Sequence, residues 1–196
     1  MEKILRIKHY ALRLVIAAMI IFTANTAFAA SHVEQIIEGA DLTSVKRLAI
    51  ACPRHYKVPG VSDEPTLETL IEIMGTYDKA QNYQLISYPT IVEAIKKDTG
   101  VDITTLGYRE AEKAFRDNVG KYADAFVTLT TANNDDPTIF MFEVQNAQTK
   151  DVMYLLKIRN AAFGKNSKGY QSACESFYKG FDLSIDKAIK DSKEKK

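Results

Sequence analysis

Apolar and polar residues alternate along five stretches of the chain, in the pattern that is typical of β-strands. These stretches are residues 45–52, 83–87, 125–131, 139–146 and 152–160. The first is apolar at both Leu48 and Ala49, so it is predicted to lie inside a sheet that helices cover on at least one side. The last two are separated by the short polar segment 147–151 and are therefore predicted to pair as a hairpin.

A second pattern, with apolar residues at three- and four-residue steps, predicts four helices. Their approximate bounds are residues 65–79, 89–97, 108–122 and 170–189. Residues 30–44 carry only a weak helical pattern and are interpreted as a leader. The apolar positions of that pattern are Val33, Ile36 and Ile37. The charged residues 191–196 are predicted to form a disordered tail.

The predicted order of elements is β-α-β-α-α-β-β-β-α. This order indicates an α/β (α+β) fold, in which helices pack on a mixed sheet of about five strands. The 167 residues from position 30 onward are enough for one hydrophobic core and too few for two. We therefore expect a single domain over residues 45–190, preceded by a signal peptide (1–29) and the leader.

The first 29 residues have the three parts of a secretory signal peptide. The basic residues at their start are Lys3, Arg6, Lys8 and Arg13. An apolar stretch follows at 14–24, and Ala27–Ala29 offers the small-x-small site after which signal peptidase cuts. The alternative, a retained membrane anchor, needs about 20 apolar residues. We therefore expect cleavage after about Ala29, no stable membrane span afterwards, and a periplasmic or secreted protein.

Removal of the signal peptide changes the charge balance of the chain. The peptide holds four basic residues and one acidic residue, so the 26 basic and 25 acidic residues of the full chain fall to 22 and 24. The net charge then changes from +1 to about −2. A nucleic-acid partner is not expected, because binding to phosphates requires a surplus of cations.

The exported chain would contain two cysteines, and two interpretations of them stay open. Cys52 ends the first predicted strand, and Cys174 lies on the apolar face of the last predicted helix. In an oxidising compartment they could form a disulfide, which would stabilise the fold by about 4–5 kcal/mol. Alternatively, they are two buried thiols that pack as small apolar side chains.

The loop predicted after the first strand holds the candidate binding residues. These are Arg54, His55, Tyr56, Lys57 and Asp63. Loops at the carboxyl ends of strands in α/β sheets commonly carry binding sites. His55 near Asp63 or Glu64 could act as a general base, and the alternative is an exposed loop histidine without such a role.

Sequence motifs of catalysis are not found in the chain. It has no paired-histidine or Cys-x-x-Cys spacing, no Gly-x-Ser-x-Gly and no glycine-rich phosphate loop. The segment Asn134–Asp136 lacks the ligand spacing of a calcium loop and is interpreted as a turn. We therefore expect no catalytic residues, no metal and no cofactor, and a protein that is not an enzyme.

Several local strings, in this order, resemble a known family. They are the first strand at 46–51, the strand and helix at 83–97, the string Tyr-Ala-Asp-Ala-Phe-Val at 122–127, and the turn at 146–150. Together they resemble the small periplasmic α/β domain shared by the curli secretion channel protein, penicillin-binding-protein activator lipoproteins and the amino-terminal domain of the Tol translocation protein B. The resemblance covers nearly all of residues 45–190 and implies an envelope protein that binds other proteins.

These observations lead to one expected function and one alternative. The expected function is a non-catalytic binding or assembly role in the cell envelope, by contact with another envelope protein through the loop 53–62 or an exposed sheet edge. The alternative is a binder of small ligands or glycans, or a hydrolase, with a cleft near His55. A pocket at His55 would favour the alternative, and a flat apolar patch the expected function. A homo-oligomer is left open.

Overall fold

The computed structural model of the chain describes residues 31–56, 64–133, 138–160 and 166–194. The predicted signal peptide and the candidate residues Lys57 and Asp63 lie outside the described residues.

A single mixed sheet forms the centre of the described fold. Its strands are β1 (Ser31–Ile36), β2 (Arg47–Ile50), β3 (Arg54–Tyr56), β4 (Gln84–Ile86), β5 (Ala125–Asn133), β6 (Thr138–Asn146) and β7 (Val152–Asn160). Their order across the sheet is β1-β7-β6-β5-β2-β4, and β3 pairs with β5 beyond the end of β2. The strands β2, β3, β4 and β5 run parallel to their partners among themselves, whereas β5, β6, β7 and β1 form an antiparallel meander.

Helices cover the sheet on both faces. They are α1 (Leu67–Gly75), α2 (Tyr88–Thr99), α3 (Tyr108–Asn118) and α4 (Ser167–Glu194). The side chain of Thr66 accepts a hydrogen bond from a backbone N–H in the first turn of α1, and that of Ser87 does the same for α2. Gly100 ends α2 in the left-handed region, with φ at 74°.

Two hydrophobic clusters hold these layers together. The first, here called the major core, joins α1 and α4 to one face of the sheet, and its aromatic centre includes Phe142 and Phe177, stacked with ring centroids 4.5 Å apart. The second, the minor core, joins α2 and α3 to the other face around Phe115 and Phe126. The predicted α/β fold class, with helices packed on a mixed sheet, is therefore confirmed.

The described sheet has seven strands instead of about five, and both additional strands lie in segments predicted otherwise. The predicted leader contributes β1, which pairs antiparallel with β7. Its weak helical pattern therefore does not correspond to a helix. Ser184 Oγ of α4 also donates a hydrogen bond of 2.6 Å to Glu34 Oε1 of β1. The predicted loop 53–62 contributes β3. Both strands are stabilised by backbone pairing with distant residues, which local side-chain spacing does not reveal.

The last helix also extends further than its predicted end. Residues 191–194, which were predicted to belong to a disordered tail, continue α4 to Glu194. The exposed side chains of these residues are charged or polar. Polar residues with good helix propensity can continue a helix that is already anchored by its buried preceding turns.

The two cysteines are free in this structure, so the possible disulfide is not formed. Cys52 lies on the side of the minor core, where it lines a cleft with Tyr88 and Phe126. Cys174 is buried in the major core on α4. The sheet separates the two thiols, and the structure therefore agrees with the alternative of two packed thiols.

Candidate functional site

One extra residue between β2 and β3 determines which way the candidate side chains point. Ile50 pairs with Val127 and Arg54 pairs with Thr130, so three residues of one strand lie opposite two of β5. Such a bulge reverses the alternation of side chains between the faces of a sheet. Arg54 consequently faces the minor core, and His55 faces the major core.

The Arg54 side chain lines a cleft between α3 and the parallel part of the sheet. The cleft is open to solvent, and its cavity volume is about 40 Å³. The residues that line it are Ala51, Cys52, Arg54, Tyr88, Tyr108, Ala111, Glu112, Phe115, Arg116, Phe126 and Thr128. It lies beyond the carboxyl end of β2, the edge at which open α/β sheets commonly bind ligands.

The rim of the cleft is a network of charged side chains. Arg54 Nε donates a hydrogen bond of 3.1 Å to the Tyr108 hydroxyl, and the Arg54 guanidinium forms an ion pair with Glu112. Arg116 Nη1 lies 3.9 Å from the same Glu112 carboxylate, and Arg116 Nη2 donates a hydrogen bond of 2.7 Å to Gln145 Oε1. Burial alone would lower the pKa of Arg54, but its contacts with Tyr108 and Glu112 raise it. Two permanent cations thus share one carboxylate.

The floor of the cleft is apolar and aromatic. The Phe115 and Phe126 rings meet edge to face with centroids 5.9 Å apart. The Arg116 guanidinium carbon lies 5.3 Å from the centre of the Phe126 ring, and Lys150 Nζ lies 5.9 Å from it. Burial, together with the charge of Arg116, lowers the pKa of Lys150. Cationic groups therefore surround an apolar surface.

Cys52 takes part in this cleft as a neutral thiol. Burial raises the pKa of Cys52, an effect that its hydrogen bond with Tyr88 only partly offsets. Burial likewise raises the pKa of the Tyr88 hydroxyl to about 12. Because the thiolate is the nucleophilic form of cysteine, these surroundings do not favour a role for Cys52 as a catalytic nucleophile.

His55 is a buried strand residue. Its Nδ1 lies 2.6 Å from Thr131 Oγ1 on β5, and its Nε2 lies 3.8 Å from Glu64 Oε2. The His55 side chain is 7% exposed, and the edge of its ring contacts Tyr170 of α4 at a centroid distance of 5.8 Å. His55 is therefore not the exposed loop histidine of the sequence interpretation.

The structure brings only part of the predicted set together. Arg54 lines the cleft, His55 is packed on the opposite face, and Tyr56 is exposed at the end of β3. The cleft residues that sequence reasoning missed lie on α3, where Tyr108, Glu112 and Arg116 recur at four-residue steps. That spacing places them on one helical face, which was the available signal.

A second surface feature adjoins the cleft. Phe140 and Phe142 of β6 point into the major core, so Ile139 and Met141 point to the opposite side of the sheet. Leu155 of β7 and Val33 of β1 lie on that same side of the sheet. There, Lys157 of β7 pairs with Met141 of β6 and with Val33 of β1. We name this surface, formed by Val33, Ile139, Met141 and Leu155, the open sheet face.

No described helix packs an apolar side chain on the open sheet face. The minor core, on which α2 and α3 pack, includes residues of β2 and β5 but none of β1, β6 or β7. Val33 is 54% exposed, and Ile139, Met141 and Leu155 are half-buried. Partly exposed apolar side chains that are grouped on a sheet are typical of an interaction site.

Within the described residues, no three His, Cys, Asp or Glu side chains converge in a way that could hold a metal ion. No helix among the same residues combines the length and the apolar character that crossing a membrane requires.

Known proteins resemble this chain only remotely. No protein-family model and no curated protein matches the chain. The C-terminal domain of LpoB from Escherichia coli is 17% identical, with 62% of this chain and 87% of that one covered and a TM-score of 0.43. For the PelC dodecamer from Paraburkholderia phytofirmans the identity is 9%, the coverage 74% and 91%, and the TM-score 0.38.

TolB from Acinetobacter baumannii is also similar, at 13% identity and a TM-score of 0.33, with 76% of this chain and 29% of the TolB chain covered. TolB is one of the proteins with which the sequence strings share a resemblance. At these identities and TM-scores none of the three matches shows a role or a partner for this chain.

Proposed function

We propose that this protein is an exported, non-catalytic binding protein of the cell envelope, which contacts another envelope protein through the open sheet face. The observation that carries the proposal is the partly exposed apolar side of β1, β6 and β7, which lies outside the minor core. The signal peptide predicted at residues 1–29 supplies the compartment, since a chain cleaved after Ala29 would be released outside the cytoplasm.

The composition of this surface suits a protein partner. Lys157 lies between Met141 and Val33, and Glu143 lies opposite Leu155, so apolar and charged side chains are mixed on this surface. Mixed surfaces of this kind are common in protein interfaces, in which a few residues contribute most of the binding free energy. The adjoining edge strand β1 offers further backbone groups for pairing.

The alternative, a ligand binder or hydrolase with a cleft near His55, is less well supported. Such a site would require His55 to be reachable from a pocket, whereas its side chain is packed between Thr131, Glu64 and Tyr170. The described cleft lies on the other side of the sheet.

Site-specific photo-crosslinking in the native cell tests the proposal. A photo-reactive residue at position 141 or 155 is expected to give a crosslinked product with a specific envelope protein. The same residue at Glu72, which is exposed on α1 over the other face of the sheet, should give none. Equal labelling from all three positions would contradict the proposal.

A matched pair of charged variants then tests the role of the apolar surface. Met141→Glu should abolish the crosslink from position 155, because a carboxylate would be desolvated at the interface. Leu183→Glu places the same charge at an exposed apolar position of α4 and should leave the crosslink unchanged. If both variants had the same effect, the open sheet face would not be the contact surface.

A further inference from the structure

We propose that the cleft at Arg54 is a binding site for a carboxylate carried on an aliphatic or aromatic body. The inference is independent of the contact proposed for the open sheet face. It rests on the combination of an apolar floor, two guanidinium groups and one shared carboxylate in a single concave site.

The charge balance of the rim favours an anion. Arg54 and Arg116 both face the cleft, and Glu112 is the one carboxylate among the described residues that line it. Lys150, behind Phe126, is offset by the charge of Asp117, and Glu143 lies beyond Gln145, whose amide donates to it. The described residues that line the cleft therefore carry one positive charge in excess, which a monoanion would neutralise.

Geometry favours a carboxylate among monoanions. The Arg54 and Arg116 guanidinium groups both approach the Glu112 carboxylate, so they converge on one region of the rim. Guanidinium groups bind carboxylates through paired N–H donors, and the side chains of Arg54 and Arg116 are 39% and 30% exposed. The Tyr108 hydroxyl next to Arg54 adds a further polar group.

The floor determines what the carboxylate should be attached to. Phe115, Phe126, Ala51 and Ala111 provide an apolar surface below the rim, and the Cys52 thiol there is neutral. The cleft is open to solvent, so an aromatic ring or a branched aliphatic group bound there would pack on this surface and stay partly exposed. Two sources present this chemistry: a free aromatic or aliphatic acid, and the terminal residue of a protein chain.

Titration of the purified protein, expressed as the full chain, with 3-phenylpropionate tests the proposal by backbone amide NMR. The amide signals of Cys52, Arg54 and Thr128 are expected to shift in a saturable manner below about 10 mM, since fragment-sized ligands commonly bind at about 1 mM. The neutral 3-phenylpropionamide and acetate, which lacks the apolar body, should each bind at least about tenfold more weakly. If the amide bound as well as the acid, the proposal would be overturned.

Three variants locate the binding. Arg116→Gln should weaken it about tenfold, and Ala111→Leu should block it sterically while leaving every charge in place. Arg109→Gln removes an exposed arginine of the same helix that does not line the cleft and should have no effect. Unchanged binding in Ala111→Leu, with an NMR spectrum that shows the variant folded, would exclude the cleft.

A peptide titration distinguishes the two sources of the ligand. An acetylated Gly-Gly-Phe peptide with a free terminal carboxylate is compared with its amidated form. Saturable shifts at the same signals with the free form only would indicate that a chain terminus can supply the carboxylate. Binding of 3-phenylpropionate alone would indicate a free acid, and binding of neither would overturn the proposal.

Discussion

At the scale of single residues, Asp124 connects the starts of two neighbouring strands. Its carboxylate accepts hydrogen bonds from the backbone N–H groups of Lys46 and Arg47, at 3.0 and 2.8 Å, and pairs with the Arg47 guanidinium at 3.1 Å. Burial alone would raise the pKa of Asp124, but these contacts lower it below the ordinary value. Asp124 therefore fixes β2 against β5 in its ionised form.

Asp124→Asn is expected to lower the free energy of unfolding by about 1–2 kcal/mol at pH 7, because charge-assisted hydrogen bonds become neutral ones. Since the folded pKa is depressed, the contribution is present above the unfolded pKa of about 3.9 and is lost as the pH falls through the folded pKa. The difference from the wild type should therefore shrink between pH 7 and pH 3, as measured by urea unfolding. Asp191→Asn, at an exposed position of α4, is the control and should change little at either pH.

Thr131 provides a second prediction at this scale. Its buried hydroxyl lies 2.6 Å from His55 Nδ1, so Thr131→Val should leave the imidazole nitrogen without this hydrogen bond and reduce stability by about 1 kcal/mol. Thr130→Val, at the next, half-buried position of β5, should be close to neutral. Chemical denaturation of the three proteins measures the effect, and equal stability of both variants would argue against the His55–Thr131 contact.

At the scale of elements, two glycines at helix ends differ in the backbone conformation that they adopt. Gly100 ends α2 with φ at 74°, and its N–H donates to Lys96 O at 2.9 Å. Gly75 is the last residue of α1 and is not in the left-handed region. A Cβ at Gly75 would meet only Ser87 Cβ, at an ordinary 3.7 Å.

Gly100→Ala is expected to reduce stability by about 1 kcal/mol, because alanine is strained in the left-handed conformation. Gly75→Ala should leave stability unchanged or raise it by about 0.5 kcal/mol, since alanine is the better helix former and restricts the unfolded chain. Thermal and urea unfolding of both variants measures the contrast. A loss of the same size in both would contradict the assigned helix ends.

Elements in which the side-chain pattern repeats regularly over many residues were predictable from the sequence. Elements defined by backbone pairing with distant residues were not. The hairpin of β6 and β7 and the stripe of α4 follow from nine or more residues of regular spacing each. By contrast, β3 has three residues and follows Pro53, so its sequence has the character of a loop. Its hydrogen bonds go to β5, more than seventy positions later, and no local pattern records that pairing.

At the scale of the whole molecule, the sheet divides the interior into two unequal cores, with one cysteine on each side. Without reductant, the unfolded protein should therefore titrate two free thiols per chain with a chromogenic disulfide reagent. In the folded protein, burial raises the pKa of Cys174 to about 12, so Cys174 should react only upon unfolding. A reductant should not change the unfolding temperature, and detection of no free thiol after unfolding would contradict this arrangement.

The candidate site was only partly predictable for a related reason. Arg54 was identified because it follows the first apolar strand, whereas Glu112 and Arg116 come more than fifty residues later, on a helix whose partner face the sequence does not specify. The opposite orientations of Arg54 and His55 also depend on a count of residues against β5, which becomes visible only when the two strands are paired.

That residue count has a consequence for how this protein tolerates change. Ala51, Cys52 and Pro53 lie opposite only two residues of β5. An insertion or deletion of one residue among them would therefore reverse the face of the sheet to which every following side chain of β3 points. Loss of one of the three would turn the guanidinium of Arg54 beneath α4 and the imidazole of His55 outward. A substitution at one of these three positions would alter a single contact, whereas a change in length would exchange Arg54 and His55 between the two faces of the sheet.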